Sequence, residues 1–251
     1  MNRDDYIKAL NSYLELPESI PDKPLLLDDI SSKVFGKYKI NIERDDTYSL
    51  IGKAGKSKEG YNIELSSFIK DEYLNYFLIH ELGHILYGHL YIPDEDRLII
   101  NDKVKSLFLG KRYFKEDLSD NDYLDITDLL ISQTMEMEVN SKVYRPQEIE
   151  IVENVLDKVI INQIIHDKVP LDTLEYFYNW TNIRGDRGHL SNIILPNRLG
   201  LKGGLTYKDY LRVILSGDVD TIMNYFRDLA SLPNESLISI EVIKHLLVSN
   251  L

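Results

Sequence analysis

Residues 73–90 decide the fold, and they spell YLNYFLIHELGHILYGHL. Apolar side chains surround two histidines, His80 and His84, and the glutamate Glu81. Residues four apart on an α-helix are separated by about 400°, so the two imidazoles lie nearly on one face. Glu81 lies about 100° around the helix from His80. The stretch therefore predicts a helix that presents two histidines to one point, with a carboxylate beside them.

These three residue types suit a metal site. Neutral imidazole is a good zinc ligand. A neighbouring carboxylate can take a proton from an attacking water and give it to a leaving amine. Burying Glu81 and two histidines in an apolar helix is costly unless something pairs them, and a metal ion would do so. The alternative is a set of hydrogen-bonded core residues whose spacing arose by chance.

Catalytic zinc usually has three protein ligands and a water, so a third ligand is needed. The best candidate is Glu136, in the segment TMEMEVNS at residues 134–141. Asn140 lies four residues later on the same helix face, from which it can hydrogen-bond a ligand histidine and fix its orientation. Glu138 lies about 200° from Glu136 and is not expected to ligate.

Other residues compete for supporting roles. A continuing helix would carry His89 about 900° beyond His80, on the opposite side, at the surface or behind a ligand. A solvated acidic face is the alternative for the Glu136 helix. Three acidic residues are weaker candidates for the third ligand, namely Asp122, Asp125 and Asp128. Three residues are weak candidates for stabilising an oxyanion, namely Tyr144, Arg145 and His189.

Upstream of the His-Glu-His helix, helical spacing is seen at 3–16 and 25–36. Apolar residues alternate within 38–66, which predicts a small antiparallel meander with strands near 38–42, 48–51 and 61–65. The glycine- and lysine-rich residues 53–60 are expected to form a turn or loop. Ser66 or Ser67 is expected to cap the central helix, which would run to about His89.

Downstream, the pattern is mainly helical. Helices are predicted at 98–110, 124–144, 147–165, 206–215, 218–231 and 235–250, with an irregular connector at 184–204. The expected fold class is therefore α+β and mainly helical, with a small antiparallel sheet next to the His-Glu-His helix. Pro146 suggests a boundary, although it could equally be a bend inside one domain.

Composition excludes several classes of protein. The chain has 251 residues, 41 acidic and 29 basic side chains, a net charge of −12 and no cysteine. It cannot be a disulfide scaffold, a zinc finger or a thiol enzyme. The net charge argues against broad binding to nucleic acid. The start of the sequence is polar and no run of 18 apolar residues occurs, so a cytoplasmic protein without a membrane span is expected.

The stretch from Tyr76 to His89 resembles the active-site helix of the ImmA/IrrE metallopeptidases. The segment EMEVN at 136–140 is similar to that family's second motif, Glu-x-Glu-Ala-Asn/Asp, with Val139 in place of alanine. The resemblance covers roughly residues 25–146. It implies a gluzincin-like zinc peptidase in which His80, His84 and Glu136 bind Zn²⁺ and Glu81 is the general base.

The resemblance also implies a partner. Members of the family typically cleave a helix-turn-helix repressor and so switch on a phage, a mobile element or a stress response. Residues 1–146 would then be a zincin-like metallopeptidase domain, and 147–251 a helical C-terminal domain or extension. The long spacer between His84 and Glu136 suggests an insertion around 94–123 that could shape a substrate cleft or form a lid.

Two other functions remain open at this point. The chain could be a non-catalytic binding module on a peptidase scaffold that sequesters a regulator. It could also be a structural helical protein whose His-Glu-His pattern is accidental. Metal content separates the zinc peptidase from the binding module in part, because a non-catalytic module needs no zinc.

Overall fold

The elements of the chain follow the predicted class. The computed structural model describes residues 1–12, 21–45, 51–149, 151–152, 155–156, 171, 203–229, 232 and 236–248. Its helices are α1 (Arg3–Ser12), α2 (Leu27–Phe35), α3 (Leu74–Tyr87), α4 (Asp94–Phe108), α5 (Asp120–Val143), α6 (Tyr207–Ser216), α7 (Val219–Leu229) and α8 (Ile240–Val248). Its strands are β1 (Ile40–Asp45), β2 (Gly52–Ser57) and β3 (Gly60–Ser66). An α+β, mainly helical fold with one small sheet is confirmed.

The sheet has the strand order β1-β3-β2, so it is mixed and not the predicted antiparallel meander. β2 and β3 form an antiparallel hairpin in which Ser57 pairs with Gly60. β1 lies on the other side of β3 and pairs in parallel, with Ile42 opposite Ile63. Along the chain, successive strands reverse direction as they do in a meander. Across the sheet, however, β3 and not β2 is the central strand. Ile63 and Leu65 of β3 are fully buried, and the strand that carries the most buried apolar side chains takes the centre.

The segment at 53–60, predicted to be a loop, is mostly strand β2 and its turn. Glycine and lysine disfavour a central strand, but lysine is a common residue of strands at a sheet edge. β2 pairs only with β3 among the described residues and so occupies such an edge. Of the predicted strand near 48–51, residues 48–50 lie outside the described part of the chain, and Ile51 immediately precedes β2.

α3 is shorter than predicted at both ends. Ser66 belongs to β3, where its N–H donates to the carbonyl of Ile51, and a 3₁₀ turn at Asp71–Tyr73 precedes the helix. Capping by Ser66 or Ser67 was therefore wrong. The helix ends at Tyr87 because Gly88 takes the left-handed conformation, with φ of 77°. Glycine adopts this conformation without steric cost.

By its internal contacts the chain divides into two compact units. One contains Met1–Leu90 and Val143–Leu190, and the other contains Tyr91–Lys142 and Ser191–Leu251. The boundary predicted near residue 146 stays a prediction. Most of the predicted helix at 147–165 and of the connector at 184–204 lies outside the described residues. No described helix is long and apolar enough to cross a membrane.

In the first unit, α3 packs against α2, β2 and β3. Its core holds fully or nearly fully buried side chains from each of these helices and from β3, including Ile30, Val34, Ile63, Leu65, Ile79 and Leu82. Each such side chain contributes about 1.5–3 kcal/mol when it is removed from water. This core holds the central helix against the sheet, so the side chains of α3 that face β2 are fixed in place.

The second unit has its own hydrophobic core. Buried residues of α4 to α8 form one cluster, which includes Val104, Phe108, Ile126, Leu130, Tyr210, Phe226 and Ile243. Predicted helices at 98–110, 124–144, 206–215 and 218–231 correspond to α4, α5, α6 and α7. The proposed insertion at 94–123 contains α4, whose Val104 and Phe108 belong to this core.

Candidate metal centre

His80 and His84 turn their rings toward each other on α3. The two Nε2 atoms are 3.0 Å apart, and both side chains are half-buried. Two facing imidazole nitrogens must share something positive between them, either one proton or one cation. The predicted convergence of these two histidines is therefore present in the structure.

The separation of these nitrogens fits a zinc site. Two nitrogens bound at 2.0–2.1 Å around a tetrahedral ion lie about 3.3 Å apart. The observed 3.0 Å needs only a small outward movement to admit an ion. Because the chain has no cysteine, the zinc ligands that it can offer are histidine nitrogens and carboxylate oxygens.

Glu136 completes a group of three possible ligands. His80, His84 and Glu136 each offer one ligand atom, and these atoms all lie within 4.8 Å of one another. All three residues are half-buried. Two imidazoles and one carboxylate form a known ligand set of catalytic zinc. These three residues can hold a metal ion.

Glu81 is buried, with 7% of its surface exposed. Its carboxylate lies against strand β2, because a Cβ built on Gly52 would be 2.5 Å from Glu81 Oε1. The side chain predicted as the base is therefore buried beside strand β2.

His89 contacts His84, although the helical projection placed it on the opposite side of the helix from His80. Its Nδ1 is 3.2 Å from Nδ1 of His84, and the residue is 7% exposed. The projection assumed a helix through His89, but Gly88 ends it. The His89 N–H donates to the His84 carbonyl at 3.0 Å and the Gly88 N–H to Ile85, as in a Schellman motif. This motif folds His89 back over the last helical turn.

The other acidic residue of the second motif has a structural role. Glu138 is buried and forms an ion pair with Lys142, and it accepts a hydrogen bond from the Tyr207 N–H at 2.6 Å. It thus accepts from a backbone N–H in the first turn of α6, where such groups have no acceptor within the helix. Asn140 is buried on α5, and its expected hydrogen bond to a ligand histidine stays a prediction.

Glu136 also acts on a neighbour within its own unit. Tyr225 of α7 is buried and donates a hydrogen bond to Gln133 Oε1 at 2.6 Å. Burial, and then the negative charge of Glu136, raise the pKa of Tyr225 well above its ordinary value. The phenol therefore stays neutral beside the carboxylate.

Two of the three competing aspartates are engaged elsewhere. Asp128 accepts two hydrogen bonds from Arg97, one of them 2.6 Å from Nε to Oδ1. Asp122 accepts from the N–H and the hydroxyl of Ser119 at 2.8 and 2.6 Å. Burial raises the pKa of Asp125. Within the described part of the chain, none of them joins a group able to hold a metal.

The oxyanion candidates are placed as follows. The Tyr144 hydroxyl donates to the main-chain carbonyl of Tyr76, and its ring stacks on His80 with centroids 6.4 Å apart. The Tyr144 ring therefore lies nearly parallel to the ring of His80, with an interplanar angle of 17°. Arg145 is exposed, and His189 lies outside the described residues.

Comparison with known proteins adds no relative. The chain matched no model of a protein family, no curated protein and no solved structure.

Proposed function

We propose that the chain is a zinc-dependent endopeptidase of the ImmA/IrrE type that cleaves a partner protein. The observation that carries this proposal is the group formed by His80, His84 and Glu136, whose ligand atoms lie within 4.8 Å of one another. The buried carboxylate of Glu81, next to His80 in the chain, adds the base that hydrolysis needs.

The residues have separate tasks in this proposal. His80, His84 and Glu136 would hold the ion, which when bound supplies a Lewis acid for the peptide carbonyl. Glu81 takes a proton from the attacking water as the water oxygen bonds to the carbonyl carbon. Glu81 then gives that proton to the amine nitrogen as the C–N bond breaks.

We infer that the substrate is a protein with a basic surface. The chain carries a net charge of −12, which favours encounter with a positively charged partner. A helix-turn-helix repressor, as the family resemblance implies, has such a surface where it contacts DNA. If a helix-turn-helix repressor is encoded beside this gene, it is the first substrate to test.

The test compares Glu81→Gln with Glu95→Gln, a matched change at an exposed position in the first turn of α4. Each zinc-loaded protein is incubated with a peptide library from a whole-cell protein digest, and new termini are identified by mass spectrometry. We expect Glu81→Gln to retain zinc and to lose at least about 100-fold in cleavage rate.

Equal cleavage by the Glu81→Gln and Glu95→Gln proteins would contradict the mechanism. Zinc binding without cleavage of the library or of the neighbouring repressor would favour the alternative function, a binding module that sequesters a regulator.

A further inference from the structure

Strand β2 carries two glycines in six residues, and their surroundings differ. A Cβ built on Gly52 would lie 2.5 Å from Glu81 Oε1 and 3.2 Å from Leu65 Cδ2. A Cβ built on Gly55 meets nothing within 4 Å. Neither glycine has a positive φ, so the backbone at these positions is open to any residue. The two positions therefore differ in the room they leave for a side chain, which is absent at Gly52 and present at Gly55.

We propose that Gly52 is a positioning residue for Glu81, because only a residue without a side chain leaves the carboxylate in its present place. The inference rests on the proposed function, in which Glu81 is the base. It assigns to the β2 edge a part in the site that lies outside both sequence motifs.

The direction of the displacement follows from what can move. Real Cβ atoms essentially never lie within 3.0 Å of another non-bonded heavy atom, so a methyl group 2.5 Å from Oε1 forces a shift. Gly52 is held by its pairing with Leu65, which is fully buried. Three groups could move, namely the Gly52 backbone, the Leu65 side chain and the Glu81 carboxylate. The carboxylate moves most easily, because it is the far end of a long side chain. An added methyl group would therefore push the carboxylate away from its place.

The contact is tested by a double-mutant cycle in the full-length, metal-free chain. Gly52→Ala and Gly55→Ala are each made with Glu81 and with Glu81→Ala, and thermal unfolding is measured. With Glu81 present, we expect Gly52→Ala to unfold about 2 °C or more below Gly55→Ala. With Glu81→Ala, we expect this difference to shrink, leaving only the cost of the 3.2 Å approach to Leu65 Cδ2. A difference that is absent with Glu81 present, or unchanged by Glu81→Ala, would overturn the proposal.

The role in positioning is tested with zinc-loaded protein and the same peptide library. We expect Gly52→Ala to keep its zinc affinity and KM and to lose about tenfold or more in kcat, because a positioned base contributes 10²–10⁴-fold. Gly55→Ala should match the wild type. Equal kcat values for the two variants would overturn the positioning role. If the wild type cleaves nothing, the proposed function fails, while the unfolding cycle still reports on the contact.

Discussion

Both ring nitrogens of His84 face another histidine, Nε2 toward His80 and Nδ1 toward His89. If both Nε2 atoms hold an ion, the single proton of neutral His84 must sit on Nδ1. His89 Nδ1 is then the acceptor of that proton at 3.2 Å. Partners of this kind fix the tautomer and the ring orientation of a ligand histidine.

We therefore predict that His89→Leu weakens zinc binding by about 10–100-fold, since the Nδ1 proton of His84 loses its acceptor. His89→Gln should retain most of the affinity, because its amide oxygen can accept the same hydrogen bond. Competition with a chromophoric chelator measures both. A His89→Leu protein that binds zinc as tightly as the wild type would show that His89 has no such role.

For single residues, the sequence predicted those positions that depend on the spacing of residues along a helix. The convergence of His80 and His84 follows from a four-residue interval, and the structure contains it. The projection that placed His89 opposite His80 was wrong because a left-handed residue at Gly88 ends the helix at Tyr87, two residues before His89. The signal was present, since glycine at the end of a helical pattern is a stop signal. The contact between Gly52 and Glu81 joins two distant segments, and no local pattern encodes it.

Among the elements, α5 begins with a capping box. The Ser119 hydroxyl accepts from the Asp122 N–H at 3.3 Å, while Asp122 accepts from the Ser119 N–H and hydroxyl. These hydrogen bonds hold the pKa of Asp122 below its ordinary value. The cap stabilises the start of the helix that carries Glu136 in its second half.

Stability should respond to this cap in a pH-dependent way. The pKa of Asp122 is lower in the folded state than in the unfolded state. The carboxylate therefore stabilises the fold at pH values above its ordinary pKa, and this contribution is lost as the pH falls through the folded-state pKa. We predict that Asp122→Asn costs about 1 kcal/mol at neutral pH, and that the cost shrinks between about pH 5 and pH 3. Chemical denaturation across this range measures it. A cost that is constant with pH would contradict the assignment.

The sheet shows the limit of prediction at the scale of elements. Alternation of apolar residues predicted strands at β1 and β3, but it does not say which neighbours pair. Pairing is decided by burial, and β3 alone has fully buried Ile63 and Leu65. β2 has no such pattern, because an edge strand rich in glycine and lysine buries little. Its existence depends on the hairpin with β3.

For the whole molecule, composition limits what the site can be. With no cysteine, a zinc centre must use nitrogen and oxygen ligands, and the described residues bring two imidazoles and one carboxylate together. Composition does not say which carboxylate is the third ligand. Glu136 is also separated from His84 by 51 residues of chain, so no local spacing connects the two. Helical spacing and the second motif suggested Glu136. Its approach to the histidines needed the tertiary structure.

The central claim is that His80, His84 and Glu136 form one zinc site. Zinc titration against a chelator tests it most directly, in the wild type and in Glu136→Gln and Glu138→Gln. We predict one zinc per wild-type chain. Loss of a residue that only hydrogen-bonds a metal ligand typically lowers metal affinity by about 10–100-fold, and we expect Glu136→Gln to lower the zinc affinity by more than that. Glu138→Gln should bind as the wild type does. A wild type that binds no zinc, or equal affinity in the two variants, would contradict the account.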